Sequence, residues 1–278
     1  MILEGKTLKN KILDNLSNEI SKLKIKPTLV VIQVGNNSAS NIYVSQKKNM
    51  ADYVGIKFIH EKLEETILEE DLIKIIDNYN NDDNVDGILV QMPLPKHINE
   101  NNIQNAILYE KDVDGLTDIN AGRLLHNKET LTACTSLGII ELLKYYNIDT
   151  GSKNVVIVGR SNLVSKPLYS LFINNDATVS MCHSKTKNLS SFTKQADILI
   201  VAVGKKHLIT KDMVKEDSVV IDVGINREDD KLYGDVDFDN IKNIADITPV
   251  PGGVGQMTVA ILGMNVLKAY NLRRNNQN

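Results

Sequence analysis

The feature that most constrains this chain is a succession of short, largely apolar runs. Each is closed by a glycine or a polar turn, and segments of helical periodicity separate them. Four lie in the second half: VVIVG (155–159), ATVSMC (177–182), ADILIVAVG (196–204) and SVVIDVG (218–224). Runs of this kind suit strands covered on both faces, so they predict a parallel sheet with helices on either side. The first half follows the same rule. TLVVIQV, from Thr28 to Val34, is bounded by Pro27 and Gly35; a strand is expected near Ile56 to Leu63; and GILVQM, from Gly87 to Met92, precedes Pro93. Leu8, Ile12, Leu16, Ile20 and Leu23 recur at helical spacing ahead of the first strand. Further helices are predicted over Ala39 to Val54, with Ser38 as N-cap and Gly55 as C-cap, around Leu72 to Tyr79, from Thr135 to Asn147 and from Thr258 to Tyr270. The predicted fold class is therefore α/β: an N-terminal α/β domain of β-α-β-α-β pattern and a Rossmann-like, doubly wound parallel-sheet domain. At about 150 residues per domain, the 278 residues divide into just under two. The boundaries read as 1–120 and 140–250, with a terminal helix within 255–278 packing back onto the first domain.

Composition removes several classes of function. Thirty-two basic side chains against 35 acidic ones give a net charge of -3, which argues against a nucleic-acid partner or a polybasic membrane anchor. Cys134 and Cys182 form no CxxC pair, so neither a disulfide framework nor a structural zinc site is supported. The five histidines, His60, His97, His126, His183 and His207, are too dispersed for a local metal motif, and no metal site is predicted. GxSxG and GxxxxGK stretches are absent. With no apolar run of about 18 residues and no apolar leader, the chain reads as soluble and cytoplasmic. Only five cationic side chains are arginines, against 27 lysines. Each arginine thus invites a geometric reason, such as a two-point grip on phosphate or carboxylate.

Several segments carry possible chemistry. VVIVG runs into Gly159-Arg160-Ser161 and then a helical stretch, which is where helix N-terminal amides can receive a dinucleotide's phosphates. It is not GxGxxG, since Ser161 and Val164 hold the second and third glycine places, and a plain βα turn remains an alternative. The next strand ends at His183-Ser184-Lys185. Basic and hydroxyl groups there, rather than an acid, favour NADP over NAD, with Arg160, Ser161, Ser184 and Lys185 able to meet a 2′-phosphate. A solvated loop is the alternative.

In the first half, Tyr43 and Lys47 stand i, i+4 on one helix face, so both can act on one ligand. In an apolar cleft such a lysine loses hydration and its pKa falls toward neutrality, as proton transfer requires. Surface pairs of this type are also common. Gln91 is a polar residue in an apolar strand and needs a partner. Asp112 and Asp114 precede Gly115 on a loop that could form a turn, a calcium ligand pair or an acceptor for a heterocyclic ring; no acidic residues follow at EF-hand spacing. The Pro/Gly-rich loop from Thr248 to Thr258 has the character of a binding wall.

Taken in order, SASNIYVSQKK, DGILVQMPLP, KDVDGL, VVIVGRSNLVSKP, ATVSMCHSKT, ADILIVAVGK, VVIDVGINR, GDVDF and ITPVPGGVGQMT resemble the bifunctional methylenetetrahydrofolate dehydrogenase/cyclohydrolase family over roughly residues 1 to 270. The resemblance implies two domains around a cleft, a homodimer, and a place in one-carbon metabolism, purine biosynthesis included. It implies NADP-dependent oxidation of 5,10-methylenetetrahydrofolate to the methenyl form and hydrolysis of that to 10-formyltetrahydrofolate. Catalytic roles fall on Lys47 as acid/base, Gln91 as its hydrogen-bond partner, Tyr43 stacking on the pterin and Asp114 bonding the pterin ring. Gly253 would join Tyr43, Gln91 and Asp114 in binding substrate. The cofactor would meet Gly159, Arg160, Ser161, Ser184, Lys185 and, near the nicotinamide, Ile225, with Thr135 neighbouring the cleft. Against the family's motifs, Ala133 and Ser136 stand for prolines, Ser165 for a glycine, and Lys206 and Gln256 for prolines. A monofunctional dehydrogenase and a non-catalytic folate- or nucleotide-binding protein are the alternatives.

Overall fold

The computed structural model describes residues 1–229 and 231–275. In chain order the elements are α1 (Lys6–Ser21), β1 (Thr28–Val34), α2 (Ser38–Val54), β2 (Lys57–Leu63), α3 (Glu69–Asn81), β3 (Gly87–Gln91), α4 (Glu100–Ala106), α5 (Asp118–Leu125) and α6 (Cys134–Tyr145). There follow β4 (Asn154–Val158), α7 (Ser165–Asn174), β5 (Thr178–Cys182), α8 (Leu189–Thr193), β6 (Ile198–Val201), β7 (Val219–Asp222), β8 (Asn226–Glu228), β9 (Lys231–Tyr233), α9 (Phe238–Ile241), β10 (Asp246–Ile247) and α10 (Met257–Asn275). They form two compact units: a first of Asn10–Cys134 with the chain from Val259 onward, and a second of Met1–Lys9 with Thr135–Thr258.

The first unit holds a parallel sheet in the order β2-β1-β3. All seven residues of β1 and all five of β3 are buried, in keeping with their largely apolar sequences, whereas edge strand β2 is largely exposed. Val30, Ile32, Leu72, Ile76, Ile88 and Ile103 form the core of one face. Helix α2 ends as its sequence predicts: Gly55 takes φ +86° and donates its N–H to Ala51 O. Its N-cap is Asn37, not Ser38. The Asn37 side-chain oxygen accepts from the N–H groups of Ala39 (3.0 Å) and Ser40 (3.1 Å), which leaves Ser38 as the first helical residue.

Helix α10 belongs to this unit. Asn265 donates to the carbonyls of Val113 (2.9 Å) and Thr132 (2.8 Å). A side chain at Gly263 would press on Leu16 and Met50, so that glycine permits their close approach. Of the expected 255–278 helix, Val254–Gln256 form a 3₁₀ turn instead, and residues 276–278 lie outside the described residues.

The second unit holds a five-stranded parallel sheet, β10-β7-β6-β4-β5. Numbered within the unit, that is the doubly wound order 2-1-3-4-5, with its reversal between β4 and β6. Met1 to Leu3 run beside β10, Leu3 N–H donating to Ile247 O and Ile247 N–H to Met1 O. These backbone bonds explain why the first nine residues group here, although the 1–120 boundary assigns them to the other unit. Short polar elements escape the periodicity: α4, α5 and the antiparallel β8–β9 pair are too brief and too Asn- or charge-rich to show a stripe.

Candidate active site

Chain reversal in the first unit lies between β1 and β3, and the carboxyl ends of those strands are where an open α/β sheet offers a crevice. Lys47 comes from α2, which follows β1, and Gln91 is the last residue of β3. Lys47 Nζ donates to Gln91 Oε1 at 2.6 Å, and Gln91 Nε2 donates to Met92 O at 2.7 Å. The polar residue in the apolar strand thus has its partner: the amide fixes the ammonium, and the backbone fixes the amide. Burial lowers the Lys47 pKa, while Asp114 and Cys134 oppose that shift. Tyr43, one turn earlier on α2, is 52% exposed, so its ring is available to a ligand.

The two carboxylates of the Asp112–Asp114 loop have different work. Asp112 is buried and accepts from the N–H groups of Gly115 (3.0 Å) and Thr117 (2.8 Å) and from Asn120 Nδ2 (2.8 Å), which makes it the pin of the turn. Gly115 has φ +71°, and a Cβ there would strike the backbone of Thr132 and Ala133. Asp114 lies within the electrostatic reach of Lys47: burial raises its pKa and Lys47 pulls it down. The Cys134 thiol donates to Val113 O at 3.5 Å. Cys134 itself is pushed far up by burial and stays a neutral thiol.

Two buried charges nearby are structural. Lys111, 1% exposed, donates to the carbonyls of Tyr79, Asn80 and Asp82 at 2.7–2.8 Å, closing the end of α3; burial lowers its pKa to about 8. Asp86, fully buried, accepts from Thr28 N–H (2.9 Å) and pairs with Arg273 (3.3 Å) and Arg274 (3.6 Å) from α10. Those two arginines therefore have a geometric reason, a carboxylate inside the chain. Arg123 forks onto Glu129 O at 3.0 and 2.8 Å.

In the second unit, Gly159 directly follows β4 with φ +140°, and a Cβ there would lie 2.5 Å from Ala202 O and 2.7 Å from Ser165 Oγ. Only glycine fits, which leaves a backbone cradle beside the sheet's reversal. Ser165 Oγ at the start of α7 is buried without a hydrogen-bond partner. Ser161 Oγ accepts from the N–H groups of Val164 (3.2 Å) and Ser165 (3.4 Å), so it holds the turn while its own proton remains free to donate. Arg160, Ser184 and Lys185 are exposed. They follow β4 and β5, which pair with Val158 opposite Cys182, so the two loops leave adjacent strands. Ile225 is 58% exposed on the loop after β7. A glycine cradle, an unsatisfied buried hydroxyl and cationic and hydroxyl side chains on adjoining loops fit a phosphorylated dinucleotide.

Gly253 is placed differently from its companions in the substrate set. It lies in the second unit, whereas Tyr43, Lys47, Gln91 and Asp114 lie in the first. It is buried, its N–H bonds Pro249 O at 2.8 Å, and its carbonyl abuts Gly5; the observed work of this glycine is tight packing of the turn.

Residues 3–114 match the tetrahydrofolate dehydrogenase/cyclohydrolase catalytic domain, and residues 133–274 match the NAD(P)-binding domain of the same enzymes. The chain belongs to the tetrahydrofolate dehydrogenase/cyclohydrolase family. The bifunctional protein FolD of Ligilactobacillus salivarius is 52% identical over 266 residues, covering 94% of this chain and 93% of that protein. The crystal structure of the bifunctional enzyme FolD from Campylobacter jejuni superposes with a TM-score of 0.96 at 46% identity, over 98% of this chain and 99% of that one. That of Trypanosoma brucei FolD, complexed with NADP cofactor and inhibitor, gives a TM-score of 0.92 at 31% identity, with 98% of each chain covered.

Within this family pattern, the chain's departures acquire local reasons. Ser136 donates to Val164 O at 3.0 Å, tying α6 to the start of α7, a bond proline could not make. Lys206 pairs with Glu228 and lies 3.6 Å from the centre of the Tyr233 ring. Gln256 closes the 3₁₀ turn before α10 through a bond from its N–H to Gly253 O at 3.2 Å. Nothing in the structure explains Ala133.

Proposed function

We propose that this protein oxidises 5,10-methylenetetrahydrofolate to the methenyl form with NADP and then hydrolyses it to 10-formyltetrahydrofolate. The first unit supplies the one-carbon chemistry and the second binds the dinucleotide. The observation that carries the reading is the Lys47–Gln91 bond at 2.6 Å, on a lysine whose pKa burial lowers.

Bound at the Gly159 cradle, NADP supplies the hydride acceptor. Loss of hydride from the methylene carbon leaves a delocalised cation. A fully charged ammonium beside it would be repelled, and a lysine held below its ordinary pKa carries less of that penalty. Neutral Lys47 can take a proton from water as it adds to the methenyl carbon and return it as the ring C–N bond opens. Gln91 keeps Nζ on the reacting side, and Asp114 accepts from the pterin's N–H groups while Tyr43 covers its face. Arg160, Ser184 and Lys185 bind the 2′-phosphate, with Ser161 donating its free proton, and Ile225 borders the nicotinamide. By family resemblance the working form is a cytoplasmic homodimer that feeds purine biosynthesis. Among the described residues, no helix is long and apolar enough to cross a membrane.

The test is to supply 5,10-methylenetetrahydrofolate with NADP or NAD and to follow reduced nicotinamide, methenyl and formyl products separately. Formyl product appearing preferentially with NADP supports the reading. Methenyl accumulation reduces it to a dehydrogenase, and no turnover with either cofactor by folded protein overturns it.

A further inference from the structure

One carboxylate holds both loops that leave β6 and β7. Asp235, fully buried, accepts from the backbone N–H groups of Val203 (2.7 Å), Gly204 (3.0 Å) and Lys205 (2.7 Å), and from Asn226 Nδ2 (2.9 Å). Asp222 completes the arrangement from the end of β7, accepting from the N–H groups of Gly224 (3.1 Å), Asp235 (3.0 Å) and Val236 (2.9 Å). The fit leaves no slack. A Cβ at Gly224 would fall 2.0 Å from Asp235 Cγ, and one at Gly234 would fall 1.8 Å from Asp222 Oδ2. Backbone therefore closes directly on both carboxylates.

Each pinned loop presents an apolar side chain to solvent: Val203, 39% exposed, after β6, and Ile225, 58% exposed, after β7. These strands are neighbours, and Val223 N–H bonds Val201 O at 2.9 Å, so the two loops start side by side at the sheet's carboxyl end. Exposed apolar groups on a backbone held by four hydrogen bonds to one buried carboxylate form a preorganised platform for a flat ring face.

We propose that Asp235 is a positioning residue for the dinucleotide, fixing Val203 and Ile225 as the platform on which the nicotinamide end rests, with Asp222 bracing it. The inference rests on the dinucleotide-binding reading of the second unit. Asp235 acts through the three amides and Asn226, without contact to the cofactor itself.

The experiment is calorimetric titration of NADP⁺ into wild type, Asp235→Asn and Asn226→Ala, with hydrolysis of methenyltetrahydrofolate in the absence of dinucleotide as the second readout. Asp235→Asn turns acceptor oxygen into donor nitrogen against N–H groups, and is expected to weaken NADP⁺ by at least about tenfold. Asn226→Ala frees only the Ile225 loop and is expected to cost about threefold. In both, dinucleotide-free hydrolysis stays within about twofold of wild type, whereas general unfolding would lower it in step. Folded variants that bind NADP⁺ like wild type overturn the proposal, as does a parallel loss of hydrolysis and affinity. If Asp235→Asn does not fold, Asn226→Ala decides by the same criteria. Wild type that binds neither NADP⁺ nor NAD⁺ would overturn the underlying reading instead.

Discussion

The two units place their candidate residues at the same topological address and build them from opposite materials. Each has a parallel sheet whose strand order reverses beside its first strand, at β1/β3 in one and β4/β6 in the other. In the first unit the site consists of side chains, Lys47, Gln91 and Asp114, with a lysine and a carboxylate desolvated together. In the second it is chiefly backbone: a glycine cradle at Gly159 and loops drawn onto buried carboxylates. Buried and half-buried acids follow the same division. Asp86 and Asp114 face cations, whereas Asp222 and Asp235 are satisfied by amides, with Asp112 the exception in the first unit. Acid/base chemistry needs groups whose protonation can change; holding a ligand's phosphates and ring needs donors and surfaces that stay put.

That contrast can be broken most forcefully at Asp86. Asp86→Ala leaves Arg273 buried beside an unpaired Thr28 amide, and a destabilisation of about 3–5 kcal/mol is expected in denaturant unfolding. The loss should appear in the first unit, and an equal shift in NADP⁺ binding would erase the distinction. Gly159→Val comes next. A β-branched side chain cannot take φ +140° or fit against Ala202 O, so NADP⁺ affinity should fall by on the order of a hundredfold, while dinucleotide-free hydrolysis is retained. A pH series sharpens the acid/base half. Burial lowers the Lys47 pKa, so its neutral fraction grows as pH rises, and the hydrolytic rate should climb with a midpoint below the 10.5 of a free lysine. A midpoint at the free-lysine value would remove the desolvation argument. The smallest effect is expected from Ser161→Ala. Losing an oxygen that caps the α7 turn costs about 1 kcal/mol in stability and lowers NADP⁺ affinity severalfold, without touching hydrolysis.

Legibility in the sequence followed the same divide. Gln91 stood out because an amide in an apolar strand must be paired, and the i, i+4 spacing put Tyr43 and Lys47 on one face; the structure supplies the partner. The sheets were readable from unbroken apolar runs. What could not be read were contacts that only the fold closes. Asp86 and Arg273 are 187 positions apart, so the sequence invites a geometric reason for the arginine without indicating which carboxylate it meets. Lys111 reads as one more surface lysine until its ammonium is seen on the carbonyls that end α3. Asp222 was a missed signal, an acid closing an apolar strand by the rule that exposed Gln91; burial raises its pKa to about 7. The Ser38 cap failed by one residue because asparagine caps as well as serine, and spacing alone does not choose between neighbours.

Hydrolysis is assigned to one desolvated lysine of the first unit, with dinucleotide binding independent of it. Lys47→Met keeps the length and apolar packing of the side chain and removes its proton. Measured with methenyltetrahydrofolate alone and with NADP⁺ by calorimetry, this variant should lose hydrolysis by about 10²–10⁴-fold, the scale of general acid–base catalysis, while its NADP⁺ affinity stays within about twofold of wild type. Hydrolysis at the wild-type rate in Lys47→Met would contradict the account.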